Sequence, residues 1–188
     1  MRISDLNLPT HLTLLRIVLI PLLAAVFYIP WPYANVLCTT LFALAGLTDW
    51  LDGYLARKLR LETPFGAFLD PVADKLMVAV VLVLVVQREA SPYLAIPAAV
   101  IIGREITIAS LREWMAALGQ RQKVAVSQLG KWKTTAQMTA LGCLLYRDEL
   151  WHFSVLTIGY VLLYVSALLT LWSMIHYLRA AIGSLHIH

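Results

Sequence analysis

Residues 49–74 read Asp49-Trp50-Leu51-Asp52-Gly53-Tyr54-Leu55-Ala56-Arg57-Lys58-Leu59-Arg60-Leu61-Glu62-Thr63-Pro64-Phe65-Gly66-Ala67-Phe68-Leu69-Asp70-Pro71-Val72-Ala73-Asp74. Four aspartates stand here between stretches that are otherwise strongly apolar. A carboxylate at the centre of a membrane span costs roughly 2.5 to 3.5 kcal/mol, so four in one short stretch call for a shared explanation. Asp49, Asp52, Gly53 and Ala56 sit at i, i+3, i+4 and i+7, along one face of a helix. Gly66, Asp70 and Asp74 sit at i, i+4 and i+8, again along one face. The spacing predicts two helices joined by the link Arg60 to Pro64, antiparallel neighbours whose carboxylate faces meet.

Working outward, the rest of the chain is a membrane sequence. It has 188 residues, 60% of them hydrophobic and 14% charged, with a mean hydropathy of +0.75. A soluble domain of this size is far more polar. Each crossing takes about 20 apolar residues, so six would use nearly the whole length. The expectation is an all-α integral membrane protein: one domain over residues 1–188, without room for a separate soluble catalytic domain. Arg2 to His11 is expected to lie on the membrane surface as a short juxtamembrane amphipathic helix. The apolar start resembles a signal peptide, but Arg16 and Pro21 interrupt it and further spans follow, so it reads as structure. The six transmembrane helices are then Leu12 to Ile29, Tyr33 to Leu59, Phe65 to Gln87, Pro92 to Leu118, Lys131 to Leu145 and Trp151 to Arg179, separated by turns at Pro30 to Pro32, Arg88 to Ser91 and Tyr146 to Glu149, and by a polar, basic segment from Gly119 to Gly130.

Net charge is +4, and its placement points to topology rather than to nucleic acid. On this layout Arg2, Arg57, Lys58, Arg60, Arg121, Lys123, Lys131, Lys133 and Arg179 share one side, and Arg88 and Arg147 the other. The excess of Lys and Arg marks the cytoplasmic side, so both termini and the polar halves of helices two, three and four are expected there. Cys38 and Cys143 lie in apolar stretches and read as packed thiols. His11, His152, His176, His186 and His188 show no ligand spacing, and the tail is expected to be mobile. Trp31, Trp114, Trp132 and Trp151 read as interfacial anchors, Trp50 and Trp172 as packing residues.

Four ionised aspartates carry −4, which two divalent cations would neutralise. Oxygen-only ligation favours Mg²⁺ or Mn²⁺ and disfavours zinc. Paired ions suit displacement at phosphorus. Gly53, Ala56 and Gly66 clear side-chain bulk from the same faces, which suits close approach of a nucleotide, and Arg57 can meet a phosphate oxygen. Arg16, inside the first span, reads equally as a phosphate or lipid contact and as a partner for a nearby carboxylate.

The pattern Asp49-x2-Asp52-Gly53-x2-Ala56-Arg57-x8-Gly66-x3-Asp70-x3-Asp74 resembles the CDP-alcohol phosphotransferase signature at all eight of its positions. Three further stretches resemble the bacterial phosphatidylglycerophosphate synthase branch: Asn7 to Arg16 with Pro21, Gly103 to Thr107 with Leu111 to Trp114, and Gly130 to Gln137. The resemblance implies a six-helix membrane fold, a homodimer, and Mg²⁺ or Mn²⁺ held by Asp49, Asp52 and Asp70. It also implies that Asp74 completes the metal site and acts as the catalytic base on an acceptor hydroxyl.

The expected reaction moves a phosphatidyl group from CDP-diacylglycerol to sn-glycerol 3-phosphate at the cytoplasmic face of a bacterial inner membrane. A small dianion needs several cations. Arg104 and Arg112, two helical turns apart, with Lys131 and Lys133, make the candidate phosphate pocket, against the alternative that the arginines snorkel to the interface. Glu105 and Glu113 read as orienting or solvent-facing, Arg121 and Lys123 as a solvated loop or a contact for anionic headgroups. The rival within the class is another acceptor, such as inositol phosphate or serine. Outside it stands a cation transporter, since intramembrane carboxylates also line ion pathways.

Overall fold

The computed structural model describes residues 8–59, 64–117, 128–150 and 153–185. Six helices account for nearly all of them: α1 (Leu8–Phe27), α2 (Ala34–Leu59), α3 (Pro64–Glu89), α4 (Pro92–Ala117), α5 (Gln128–Tyr146) and α6 (Val155–Leu185). Two residue pairs, β1 (Glu149–Leu150) and β2 (Phe153–Ser154), form a minimal antiparallel ladder between α5 and α6. Of the expected surface helix over residues 2–11, residues 2–7 lie outside the described residues, and Leu8 to His11 are not a separate element but the first turn of α1; the basic segment with Arg121 and Lys123 and the histidines of the tail also lie outside the described residues.

Helix boundaries follow local chemistry. Pro64 and Pro92 open α3 and α4, the position where a missing N–H costs nothing. Ser154 caps α6 by accepting the Thr157 N–H at 3.3 Å, so that helix starts at Val155 and not at the expected Trp151. α3 and α5 each run one residue further into a left-handed cap: Ala90 has φ 45° and Arg147 φ 63°, and their N–H groups reach back to the carbonyls of Val86 and Cys143 at 2.9 Å.

Among the described residues, four helices are long and apolar enough to cross a membrane, over Thr10–Phe27, Ala34–Leu55, Pro92–Ala117 and Val155–Arg179. α3 and α5 are not among them, because each gives its first half to charged and polar residues. The outer faces of α3 and α4 are nonetheless apolar, with Val83 and Ile96 exposed, as are Val18 on α1 and Leu168 on α6. Apolar surface on this scale marks contact with lipid. Trp50 and Trp172, expected to pack inside, are 64% and 68% exposed on that same surface. Trp50 instead stacks on Tyr54, one turn along, at 5.9 Å between ring centroids.

The core is a continuous apolar cluster that includes Leu23 and Cys38 of the first hairpin, Val81 and Val85 of α3, Leu94 and Ile101 of α4, Leu144 of α5 and Leu163 of α6. α5 and α6 approach closely at Gly159, where a methyl group would come within 2.9 Å of Leu144. Both cysteines are free thiols, Cys38 buried. Most consequential for the site is α1, which packs on both α2 and α3, while α2 also packs on α5. Among the described residues the acidic faces of α2 and α3 meet as the short link suggests, with one oxygen each of Asp49, Asp70 and Asp74 within 4.8 Å of the others. α1 brings a cation to these like charges.

Candidate active site

That cation is Arg16. Its Nη1 lies 2.9 Å from Asp49 Oδ1, 3.3 Å from Asp70 Oδ1 and 2.6 Å from Asp74 Oδ1, and its Nη2 lies 2.5 Å from Asp52 Oδ2. Of the two readings open from the sequence, pairing with carboxylates is the one realised. Helix geometry explains the convergence. Asp49 and Asp52 are one turn apart on α2, Asp70 and Asp74 one turn apart on α3, and α1 packs against both helices with Arg16 buried to 1% exposure. Thr13, one turn before Arg16, donates to Asp52 Oδ2 at 3.3 Å.

The four carboxylates are not equivalent. Asp52 is buried at 4% side-chain exposure, whereas Asp49, Asp70 and Asp74 are 40%, 43% and 48% exposed. One oxygen from each of these last three lies within 4.8 Å of the others. Such a trio of hard oxygen ligands, open on one side, fits Mg²⁺ or Mn²⁺. With Arg16 counted, the cluster carries −3, so the neutrality reached with two divalent ions alone becomes an excess of +1, a balance suited to an anionic diphosphate.

A cavity of about 490 Å³ opens onto this group, lined by Arg16, Asp49 and Asp74 at one end and by Ala43, Gly46, Met138 and Gly142 further along α2 and α5. It is charged at the aspartate end, and beyond it Phe42, Ala43, Met77 and Met138 alternate with Thr39, Thr135 and Thr139. Gly53 and Gly66 lie on α2 and α3 as expected. Ala56 and Arg57 belong to α2, and Lys131 to α5, but their side chains are outside the described part of the structure.

The basic residues gather in a second group. Arg104 of α4 donates to Glu105 Oε1 at 2.9 Å and to Ser173 Oγ of α6 at 3.2 Å, and Lys133 of α5 meets the same Glu105 oxygen at 2.5 Å. Glu105, expected to orient its neighbour, does so and recruits Lys133 as well. Tyr177 of α6, not singled out from the sequence, stands between the guanidinium groups of Arg104 and Arg112, each 5.9 Å from its ring centre. An aromatic on a distant helix leaves no spacing signal that ties it to two arginines. The Nε atoms of Arg104 and Arg112 are buried without a hydrogen-bond partner.

Arg112 and Glu105 also line a cavity of about 1000 Å³ between α3 and α4, together with Lys75. Asp74 and Lys75 are consecutive on α3, and Val78 borders both cavities. α3 thus stands between the aspartate cavity and a largely apolar one that carries Lys75, Glu105, Arg112 and Glu113, two charges of each sign. The sequence placed the two groups side by side; the structure puts one helix between them.

Comparison with known proteins bears on the family of the chain. A profile of the family described as CDP-alcohol phosphatidyltransferase matches residues 6–172. A protein of Haemophilus influenzae is 54% identical over 179 residues, 95% of each chain, and one of Sodalis glossinidius is 54% identical over 185 residues, 98% of this chain and 100% of its own. A relative from Salmonella choleraesuis is 54% identical over 95% of this chain and 97% of its own. Each of the three bears the name CDP-diacylglycerol–glycerol-3-phosphate 3-phosphatidyltransferase. With the match spanning nearly the whole sequence and all eight signature residues in place, this chain belongs to the CDP-alcohol phosphatidyltransferase family.

Proposed function

We propose that the protein transfers the phosphatidyl group of CDP-diacylglycerol to the primary hydroxyl of sn-glycerol 3-phosphate, giving phosphatidylglycerophosphate and CMP. The observation that carries the proposal is the convergence of Asp49, Asp70 and Asp74 within 4.8 Å at the mouth of a cavity that is charged at that end and runs on along α2 and α5. The names of relatives matched from end to end support the choice of donor and acceptor.

Asp49, Asp70 and Asp74 would hold Mg²⁺ or Mn²⁺, with Asp52 joining through the oxygen turned away from Arg16 and two ions bound in all. Such ions neutralise a diphosphate and stabilise both the entering and the leaving oxygen. The chain's own groups do the rest. Gly53, Ala56 and Gly66 leave room for the cytidine nucleotide beside the backbone, and Arg57 pairs with its phosphate. The cavity beyond the aspartates, along α2 and α5, receives the start of the acyl chains. Asp74 accepts the proton of the acceptor hydroxyl, whose oxygen attacks the lipid-side phosphorus in line; the bond to the CMP oxygen breaks and CMP departs. Arg104, Arg112, Lys131 and Lys133 supply positive charge for the acceptor phosphate, with Glu105 holding two of them in place until it arrives.

On this reading all six helices cross the membrane as one domain, with α3 and α5 shielding their polar halves inside the bundle. Both termini and the aspartates lie toward the cytoplasm of a bacterial inner membrane, and the working form is a homodimer. Purified protein given labelled CDP-diacylglycerol with glycerol 3-phosphate, serine and inositol phosphate in competition tests the assignment. Labelled phosphatidylglycerophosphate is expected as the product. Incorporation of serine or inositol phosphate alone would overturn the acceptor, and ion flux in liposomes without CMP release would favour a transporter.

A further inference from the structure

We propose that Arg16 is a resident counter-ion of the aspartate cluster, whose Nη1 withdraws from its carboxylates when a divalent ion binds while its Nη2 stays on Asp52. The inference rests on the reading of Asp49, Asp70 and Asp74 as metal ligands. Nη1 stands 2.6 to 3.3 Å from an oxygen of each of them. Mg²⁺ bonds oxygen at about 2.1 Å, so an ion sharing the three oxygens that face Nη1 takes the place this nitrogen fills. The two cannot be there together.

Two features favour exchange over permanent occupancy. Nη1 has only two protons for three carboxylates, and one guanidinium leaves the cluster at −3, so a dication serves the same oxygens better. The surroundings are also lopsided. The trio is 40% to 48% exposed, whereas Asp52 is 4% exposed and holds Nη2 at 2.5 Å with help from Thr13. An ion arriving from the open side meets the three exposed carboxylates and draws their oxygens from Nη1 behind them, while the buried side keeps the arginine tethered. Arg16 is accordingly a positioning residue: it holds four like charges together in the metal-free protein and sets the metal affinity below what the carboxylates alone would give.

The test uses the full chain in detergent, stripped of metal, as wild type, Arg16→Gln and Arg16→Lys. Mn²⁺ binding is followed by the spin-resonance signal of the free ion, and thermal unfolding is measured with and without Mn²⁺. Arg16→Gln is expected to bind Mn²⁺ about tenfold tighter, to unfold at a lower temperature without metal, and to gain more from saturating Mn²⁺ than wild type does. Arg16→Lys, whose single ammonium reaches fewer oxygens, should shift in the same direction by less, and it decides the question alone if the Gln variant does not fold. Wild type that binds Mn²⁺ alongside variants with unchanged or weaker binding would overturn the counter-ion role and leave the metal site standing. Wild type that binds no Mn²⁺ would overturn both.

Discussion

The acidic group around Arg16 and the basic group around Glu105 are built from the same parts with the signs exchanged. In the first, four carboxylates share one guanidinium; in the second, Arg104 and Lys133 share one carboxylate. They differ in access. Three of the aspartates are about half exposed, while Arg104 and Lys133 are 8% and 5% exposed. The acidic group can accept a cation from outside without rearranging its scaffold. The basic group must give up an internal ion pair before Arg104 or Lys133 can hold an anion, whereas Arg112, with Lys75, already faces the cavity.

That contrast orders the expected effects of substitution. Asp74→Asn removes the proposed base and one proposed ligand from the open group, and turnover should fall by about 10³-fold, with nucleotide binding partly retained in an equilibrium titration; wild-type turnover would remove the base assignment. Glu105→Gln leaves the buried cations Arg104 and Lys133 without their carboxylate. A loss of about 3 kcal/mol in unfolding free energy is expected, partly restored by added glycerol 3-phosphate, and unchanged stability would mean that this pair is not a closed unit. Arg112→Ala, on the cavity side, should raise KM for glycerol 3-phosphate about tenfold with little effect on KM for CDP-diacylglycerol. Equal effects on both would move the acceptor site elsewhere.

Much of this was legible in the residues. Asp49 to Asp74 announced two helices with facing acids because helical spacing is a local property, and the signature fixed the family for the same reason. What stayed hidden were contacts between segments far apart in the chain. Arg16 read as equally suited to lipid and to carboxylate, since nothing local says which helix lies opposite. Tyr177 gave no sign that it would stand between Arg104 and Arg112. The meeting of the α2 and α3 acids follows from the short link, and what that link does not show is that α1 supplies the guanidinium they share. Trp50 was read inward from its apolar surroundings, but in a bilayer the outer surface is apolar too, so hydrophobicity does not distinguish the two sides of such a helix.

The central claim is that the aspartates of α2 and α3 form a divalent-metal site at which CDP-diacylglycerol is cleaved. It is tested most directly by following CMP release from CDP-diacylglycerol and glycerol 3-phosphate with metal-stripped protein, before and after Mg²⁺ or Mn²⁺ is returned. Release should be absent without metal and recover with either ion, in step with lipid product. Full CMP release from the stripped protein would contradict the claim.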